Sequence, residues 1–182
     1  MNITIFGGAH PKPGDPAYQE AYDLGRLLAE AGHTVLTGGY VGTMEAASRG
    51  AAEGGGHIIG VTCAEIEHWR KSRINPWVQE EWRCMTLFER LSKLIENCQA
   101  AIALPGGAGT LVEVSLTWNL LIIQAIPPRP LVLVGPGWQS VFDQFFASLG
   151  PFTSLPDRHL LHFAPDIHAA LNQIGLSSTA ID

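Results

Sequence analysis

Short apolar runs alternate with longer amphipathic stretches along this chain. Asn2–Phe6, Thr34–Thr37, His57–Thr62, Ala100–Leu104 and Leu131–Val134 are brief β-rich runs bounded by Gly or Pro. Continuous apolar character, rather than strict alternation, is what a strand buried on both faces shows. Between and after them, Ala17–Ala31, Thr43–Glu53, Val78–Asn97, Leu111–Ala125, Gln139–Leu149 and Asp166–Ile174 read as helices. In the first, Leu24, Leu27, Leu28 and Ala31 form a stripe at helical spacing, and Gly32 stands where such a helix stops. In Leu111–Ala125, the residues Leu111, Val114, Leu116, Trp118, Leu121 and Ile122 surround the helix with apolar groups. Such a helix is buried in its own core or in a subunit interface.

Strands alternating with helices predict an α/β fold. It is Rossmann-like and three-layered, with a mostly parallel sheet flanked by helices and joined by right-handed crossovers. The 182 residues suit one domain, residues 1–182, with no repeat or linker. Cys63 to Trp77 is the one long irregular stretch, carrying Trp69, Arg70, Lys71 and Arg73. It reads equally as a lid near a site or as a solvated surface loop.

Three glycine clusters follow expected strands: Gly7-Gly8, then Gly38-Gly39 with Gly42, then Gly106-Gly107 with Gly109. Ligands of an open parallel sheet bind in the crevice at the strand C-termini, so clusters far apart in sequence should converge there. Glycine lets backbone approach a ligand closely. The third cluster is the most informative. Strand Ala101–Leu104 leads into the tight turn Pro105–Gly109, and a helix follows from Thr110. Exposed N–H groups and the positive dipole end at such a helix start favour a phosphate, with Ala108 in the turn and Thr110 adding a hydroxyl. No Lys follows the last Gly, so the turn is not a Walker P-loop, and the dinucleotide spacing G-x-G-x-x-G is absent too. The bland alternative is a helix-entry turn whose glycines serve geometry alone.

Thr110-Leu-Val-Glu113 matches a capping box, in which Glu113 bonds back to the helix start. The alternative points Glu113 into the cleft as a catalytic carboxylate. Arg90 sits at the edge of the stripe Leu87, Leu91, Leu94, Ile95 and Cys98, placing it either on a solvated flank or within reach of the cleft. Glu89 and Lys93, four apart, look like a surface ion pair.

Composition narrows the function classes. The net charge is −6, which disfavours nonspecific nucleic-acid binding, so an anionic ligand needs local help. The three cysteines, Cys63, Cys84 and Cys98, fit no metal-ligand spacing and point to a reducing cytosol. The first residues lack the character of a signal peptide, and the apolar run Leu116–Ile126 is too short to cross a bilayer. The expectation is a cytoplasmic protein with no metal, no membrane contact and no nucleic-acid partner.

Pro105–Glu113 resembles the PGGxGTxxE signature of the LOG ("Lonely Guy") family of cytokinin-activating phosphoribohydrolases, often mislabelled lysine decarboxylases. Phe6–Ala9, Gly38–Met44 and Glu53–Val61 are similar to further family segments, and Met85 and Arg90 precede the signature at the family's spacing. The resemblance implies a homodimer without cofactor that hydrolyses the N-glycosidic bond of a nucleoside 5′-monophosphate. Arg90 and Glu113 would then be its catalytic pair. The glycines above, with Met85, Ala108 and Thr110, would bind the nucleotide. Decarboxylation normally uses pyridoxal phosphate on a lysine, and Lys12, Lys71 and Lys93 sit at no recognisable site. Leu91 stands where plant-type members have Lys, Ala108 where Tyr is frequent, and Gly8-Ala9 where Ser is usual. These departures keep open a second reading, a non-catalytic carrier or sensor of a phosphorylated ligand such as molybdenum cofactor or a nucleotide. Molybdenum-cofactor carrier proteins resemble this fold.

Overall fold

The computed structural model describes residues 1–175. Its strands are β1 (Asn2–Phe6), β2 (Thr34–Thr37), β3 (Ile58–Cys63), β4 (Glu80–Cys84), β5 (Ala100–Ala103), β6 (Leu131–Val134) and β7 (Leu161–Ala164). Its helices are α1 (Pro16–Glu30), α2 (Thr43–Glu53), α3 (Ala64–Arg70), α4 (Leu87–Glu96), α5 (Ala108–Ile122), α6 (Pro136–Leu149), α7 (Leu155–Arg158) and α8 (Ile167–Gln173). A short 3-10 turn, Gly150–Phe152, follows α6.

Every strand pairing is parallel, in the order β4-β3-β2-β1-β5-β6-β7. The four central strands β2, β1, β5 and β6 are buried almost throughout because helices cover both faces. On one face Leu24 and Leu28 of α1, Ala47 and Ala51 of α2 and Ala170 of α8 pack on Ile3, Ile5 and Ile102. On the other, Leu94 and Ile95 of α4, Val114 and Trp118 of α5 and Phe142 of α6 pack on Phe6, Leu36 and Ala101. The result is the expected three-layer α/β arrangement. Strand order reverses at β1, which lies between β2 and β5, so the ligand crevice of such a sheet falls beyond the C-termini of β1 and β5.

The α1–α2 contact is close because Gly25 and Gly50 face the partner backbone. A Cβ on Gly25 would overlap the Ala47 carbonyl, and one on Gly50 would overlap that of Tyr22. Of the expected stripe, Leu24 and Leu28 are fully buried and Leu27 is half-buried, while Ala31 is exposed at the helix end, where Gly32 follows with φ of 76°.

Several expectations are corrected. Val78–Asn97 is not one helix: its first part is β4, and the helix starts at Leu87. β4 reads Glu-Glu-Trp-Arg-Cys because it is an edge strand, where charged side chains keep the open rim soluble, so it lacks an apolar run. The opposite edge strand, β7, is absent from the expected elements for the same reason: Leu161-His-Phe-Ala164 is short and half exposed. The Cys63–Trp77 stretch contains α3, none of whose residues is buried. α6 begins at Pro136 rather than Gln139, since Pro suits the first helical position. Glu89 does not pair with Lys93. It closes a capping box with Thr86 at the start of α4, while Lys93 lies 5.8 Å from the Trp82 ring.

Candidate functional site

The three glycine clusters meet at the C-terminal edge around β1. Gly8 donates its N–H to the Pro105 carbonyl at 3.2 Å, joining the first loop to the third. The Gly8 carbonyl accepts from the Thr43 N–H at 2.9 Å and from the Thr43 hydroxyl at 3.0 Å, joining the first loop to α2. These contacts need bare backbone: a Cβ on Gly42, which has φ of 77°, would lie 2.6 Å from the Ala9 Cα. Gly7 faces the Thr43 side chain just as closely. The starts of α2 and α5 thus flank one loop.

Pro105, Gly106, Gly107, Ala108 and Gly109 are all exposed. α5 lies three residues ahead of the expected Leu111–Ala125, with Gly107 as N-cap and its first helical bond running from Leu111 N–H to Gly107 O at 3.0 Å. The N–H groups of Ala108, Gly109 and Thr110 precede that bond, so they are the orphan donors of a helix start and face an exposed turn. Thr110 is therefore the third residue inside the helix, not its cap, and the expected Thr110–Glu113 capping box does not form. Thr110 is buried, and its side chain fills the space that a Cβ on Gly106 would need.

Glu113, one turn further on, is 8% exposed, and Arg90 is 5% exposed. The solvated-flank alternative for Arg90 is thereby excluded. Arg90 Nη1 lies 3.6 Å from Glu113 Oε1. Arg90 Nε donates to the Val61 carbonyl of β3 at 2.8 Å, and Nη2 sits 3.9 Å from the Met44 sulfur. A side chain on Gly38 would overlap Nη2, so that glycine makes room for the guanidinium. Gly39, with φ of 76°, turns the chain against Gly60 and Thr62. Burial pushes the Glu113 carboxyl up from its ordinary 4.5 to about 7, against the opposing pull of Arg90. A group of that pKa exchanges a proton near neutrality, which suits general acid–base work or charge stabilisation.

Met85 is not brought to the glycine edge by any hydrogen bond among the described residues. It stands exposed before α4, its N–H donating to Glu89 Oε2 at 2.8 Å. Thr43, Tyr40 and Asn75, by contrast, are not among the expected site residues. Thr43 follows Gly42 at a helix start, a signal the sequence does carry. Tyr40 and Asn75 show their positions only in three dimensions. Among the described residues, no three His, Cys, Asp or Glu side chains gather as a metal group, and no helix is long and apolar enough to cross a membrane.

Residues 1–123 match the SLOG cluster4 family. The chain belongs to it. Its relatives include the cytokinin riboside 5′-monophosphate phosphoribohydrolase LOG of Oryza sativa subsp. japonica. The two are 36% identical over 129 residues, which make up 69% of this chain and 52% of that protein. The cytokinin riboside 5′-monophosphate phosphoribohydrolase of Rhodococcoides fascians is 30% identical over 142 residues, covering 73% of this chain and 67% of the relative. Among solved structures, the molybdenum cofactor binding protein from the phototrophic bacterium Rippkaea orientalis superposes with a TM-score of 0.74 at 26% identity. That likeness covers 95% of this chain and 94% of the other. At family level the LOG relatives are hydrolases, while the structural neighbour is named for a bound cofactor.

Proposed function

We propose that this SLOG protein hydrolyses the N-glycosidic bond of a nucleoside 5′-monophosphate, giving free base and ribose 5-phosphate. The observation carrying this reading is the buried Arg90–Glu113 pair one helical turn from an exposed glycine turn. The 5′-phosphate sits on the N–H groups of Ala108, Gly109 and Thr110 at the positive end of α5. Water adds to C1′ as the C1′–N bond breaks, and the base leaves with the bonding electrons and takes up a proton. The Glu113 carboxylate stabilises the positive charge on the ribose or accepts the proton of the water. Arg90 orients Glu113 rather than gripping phosphate, because its guanidinium is already engaged by Val61 and Glu113 and packed beneath Gly38. No organic cofactor or metal enters this scheme, and residues 1–182 act as one nucleotide-binding domain.

The reading extends to assembly and setting. Phe88, Leu111 and Val112 leave an exposed apolar strip along α4 and α5, which suits the face of a homodimer. Cys63, Cys84 and Cys98 are free and buried, which suits a reducing cytoplasm.

A second reading, a carrier of a phosphorylated ligand such as molybdenum cofactor, is favoured by the likeness to the Rippkaea orientalis protein over 95% of the chain. Purified protein incubated with AMP, GMP, CMP, UMP and an N6-prenylated AMP separates the two. Chromatography should show free base that disappears in Glu113→Gln and Arg90→Ala. Tight calorimetric binding of a phosphorylated ligand without base release would favour the carrier.

A further inference from the structure

Two buried residues with polar side-chain atoms, Tyr40 within the second glycine loop and Asn75 well beyond it, fix the surroundings of Arg90. The Tyr40 hydroxyl donates to the Cys63 carbonyl at 3.1 Å and accepts from the Cys63 N–H at 2.7 Å. Cys63 ends β3 and directly precedes α3, two residues beyond the Val61 carbonyl that receives Arg90 Nε. The Tyr40 ring itself stands 5.8 Å from the Arg90 guanidinium carbon, within cation–π range.

The main chain of Tyr40 is held from the other side. Asn75 is 5% exposed although it lies in the irregular stretch before β4. Its N–H donates to the Gly39 carbonyl at 2.8 Å, and its Nδ2 donates to the Tyr40 carbonyl at 3.0 Å. Its Oδ1 accepts from the Trp77 N–H at 3.1 Å, so the amide orientation is set by its own turn. The excursion from Cys63 to Asn75 is therefore stitched to the second glycine loop at both ends, at Cys63 by the Tyr40 hydroxyl and at Asn75 by the Gly39 and Tyr40 carbonyls.

We propose that Tyr40 and Asn75 are positioning residues that hold the Gly38–Tyr40 loop and the end of β3 as two walls of the Arg90 site, and so keep its guanidinium aligned with Glu113. This role rests on the phosphoribohydrolase reading, in which the alignment serves catalysis. Arg90 is anchored at one point on β3 and flanked by the loop on another side, so loosening either wall lets it drift from a carboxylate that it meets at only 3.6 Å. Small displacements of an aligned group cost large factors in rate. Arg90 is the charged group acting on Glu113, opposing the effect of burial, so drift also moves the titration of Glu113 upward.

The test uses the full chain, Tyr40→Phe and Asn75→Ala, each checked for a cooperative thermal transition. The Tyr40→Phe variant keeps the ring beside Arg90 and removes only the bonds to Cys63, so it decides the matter if Asn75→Ala does not fold. Two quantities are read: kcat and KM for release of base from the best nucleotide, and the carboxyl titration of Glu113 by carbon-13 NMR, assigned with Glu113→Gln. The expected result is a loss in kcat of about 10- to 100-fold, KM within about twofold, and a Glu113 titration displaced to higher pH. A merely structural role would lower stability and leave the titration where it is. Folded variants with unchanged Glu113 titration and unchanged kcat overturn the proposal. If the parent protein releases no base, the hydrolase reading falls, and the Glu113 titration still decides whether Tyr40 and Asn75 set the alignment.

Discussion

Replacing Glu113 by Gln should change how stability depends on pH, in a direction that burial dictates. The folded chain raises this carboxyl from 4.5 to about 7, because the cost of burying its charge exceeds the attraction of Arg90. Each unit of pKa is worth about 1.4 kcal/mol, so the ionised form bears a penalty of about 3 kcal/mol relative to the unfolded chain. A raised folded-state pKa means that the native protein binds the proton more tightly. The resulting stabilisation is complete below about pH 4.5, fades as pH rises, and is gone above about pH 7. Glutamine has the same shape and does not titrate. The parent protein should therefore lose about 2 to 3 kcal/mol relative to Glu113→Gln between pH 5 and pH 8. Denaturant unfolding of both proteins at equal concentration, repeated across that interval, gives the difference directly. A difference flat to within about 0.5 kcal/mol would refute the reasoning, since it would mean that Arg90 holds Glu113 ionised throughout.

Base release should rise with pH through about 7 as Glu113 ionises, read as kcat/KM for AMP, and a rate falling over that range would exclude the carboxylate role. Gly38→Ala places a methyl group where Arg90 Nη2 now lies, so steady-state kinetics should show a loss of about 10- to 100-fold. Gly25→Ala intrudes on the Ala47 carbonyl across the α1–α2 contact, and the denaturant midpoint should report a loss of about 1 to 3 kcal/mol without touching the site. Val112→Asp puts a charge into the exposed strip on α5, and light scattering should show a dimer becoming a monomer.

How far the sequence reveals the molecule depends on whether burial leaves a signal. β1, β2, β5 and β6 are covered on both faces, so their apolar runs stand out, and the observed limits match the expected ones to within a residue. β4 has one side open to solvent, and Glu80, Glu81 and Arg83 hide it within an apparently helical stretch. The glycine turns are legible because the Gly8–Ala9 backbone excludes a side chain at Gly42 and the Thr110 side chain excludes one at Gly106. The fate of Arg90 was not. A lone arginine beside an apolar stripe looks the same whether solvent or a Val61 carbonyl awaits it, and only the pairing of β3 with β2 and β4 brings that carbonyl beneath α4. The capping box misled in a similar way. Thr110 and Glu113 have the right spacing, but Gly107 starts the helix, which turns Thr110 inward under Gly106 and Glu113 toward Arg90.

The buried pair also bears on the choice between hydrolase and carrier. Gripping a phosphate requires only the exposed turn Pro105–Gly109 and the first N–H groups of α5, all of which are backbone. Burying Arg90 and Glu113 adds nothing to that grip. Charge pairs taken out of water are commonly replaceable by apolar residues without loss of stability. Here the carboxyl is held near pKa 7, a state in which ionisation weakens the fold. A site that only carried its ligand would gain nothing from that arrangement, whereas a carboxyl that takes up and gives off a proton near neutral pH can serve the breaking of a glycosidic bond. The two cases diverge in Glu113→Gln. For a carrier, the affinity for a phosphorylated ligand and the rate of its release stay within about twofold of the parent, because the backbone cradle is intact. For a hydrolase, affinity stays within the same range while turnover falls by about 100-fold or more. Unchanged turnover in that variant would remove Glu113 from the chemistry.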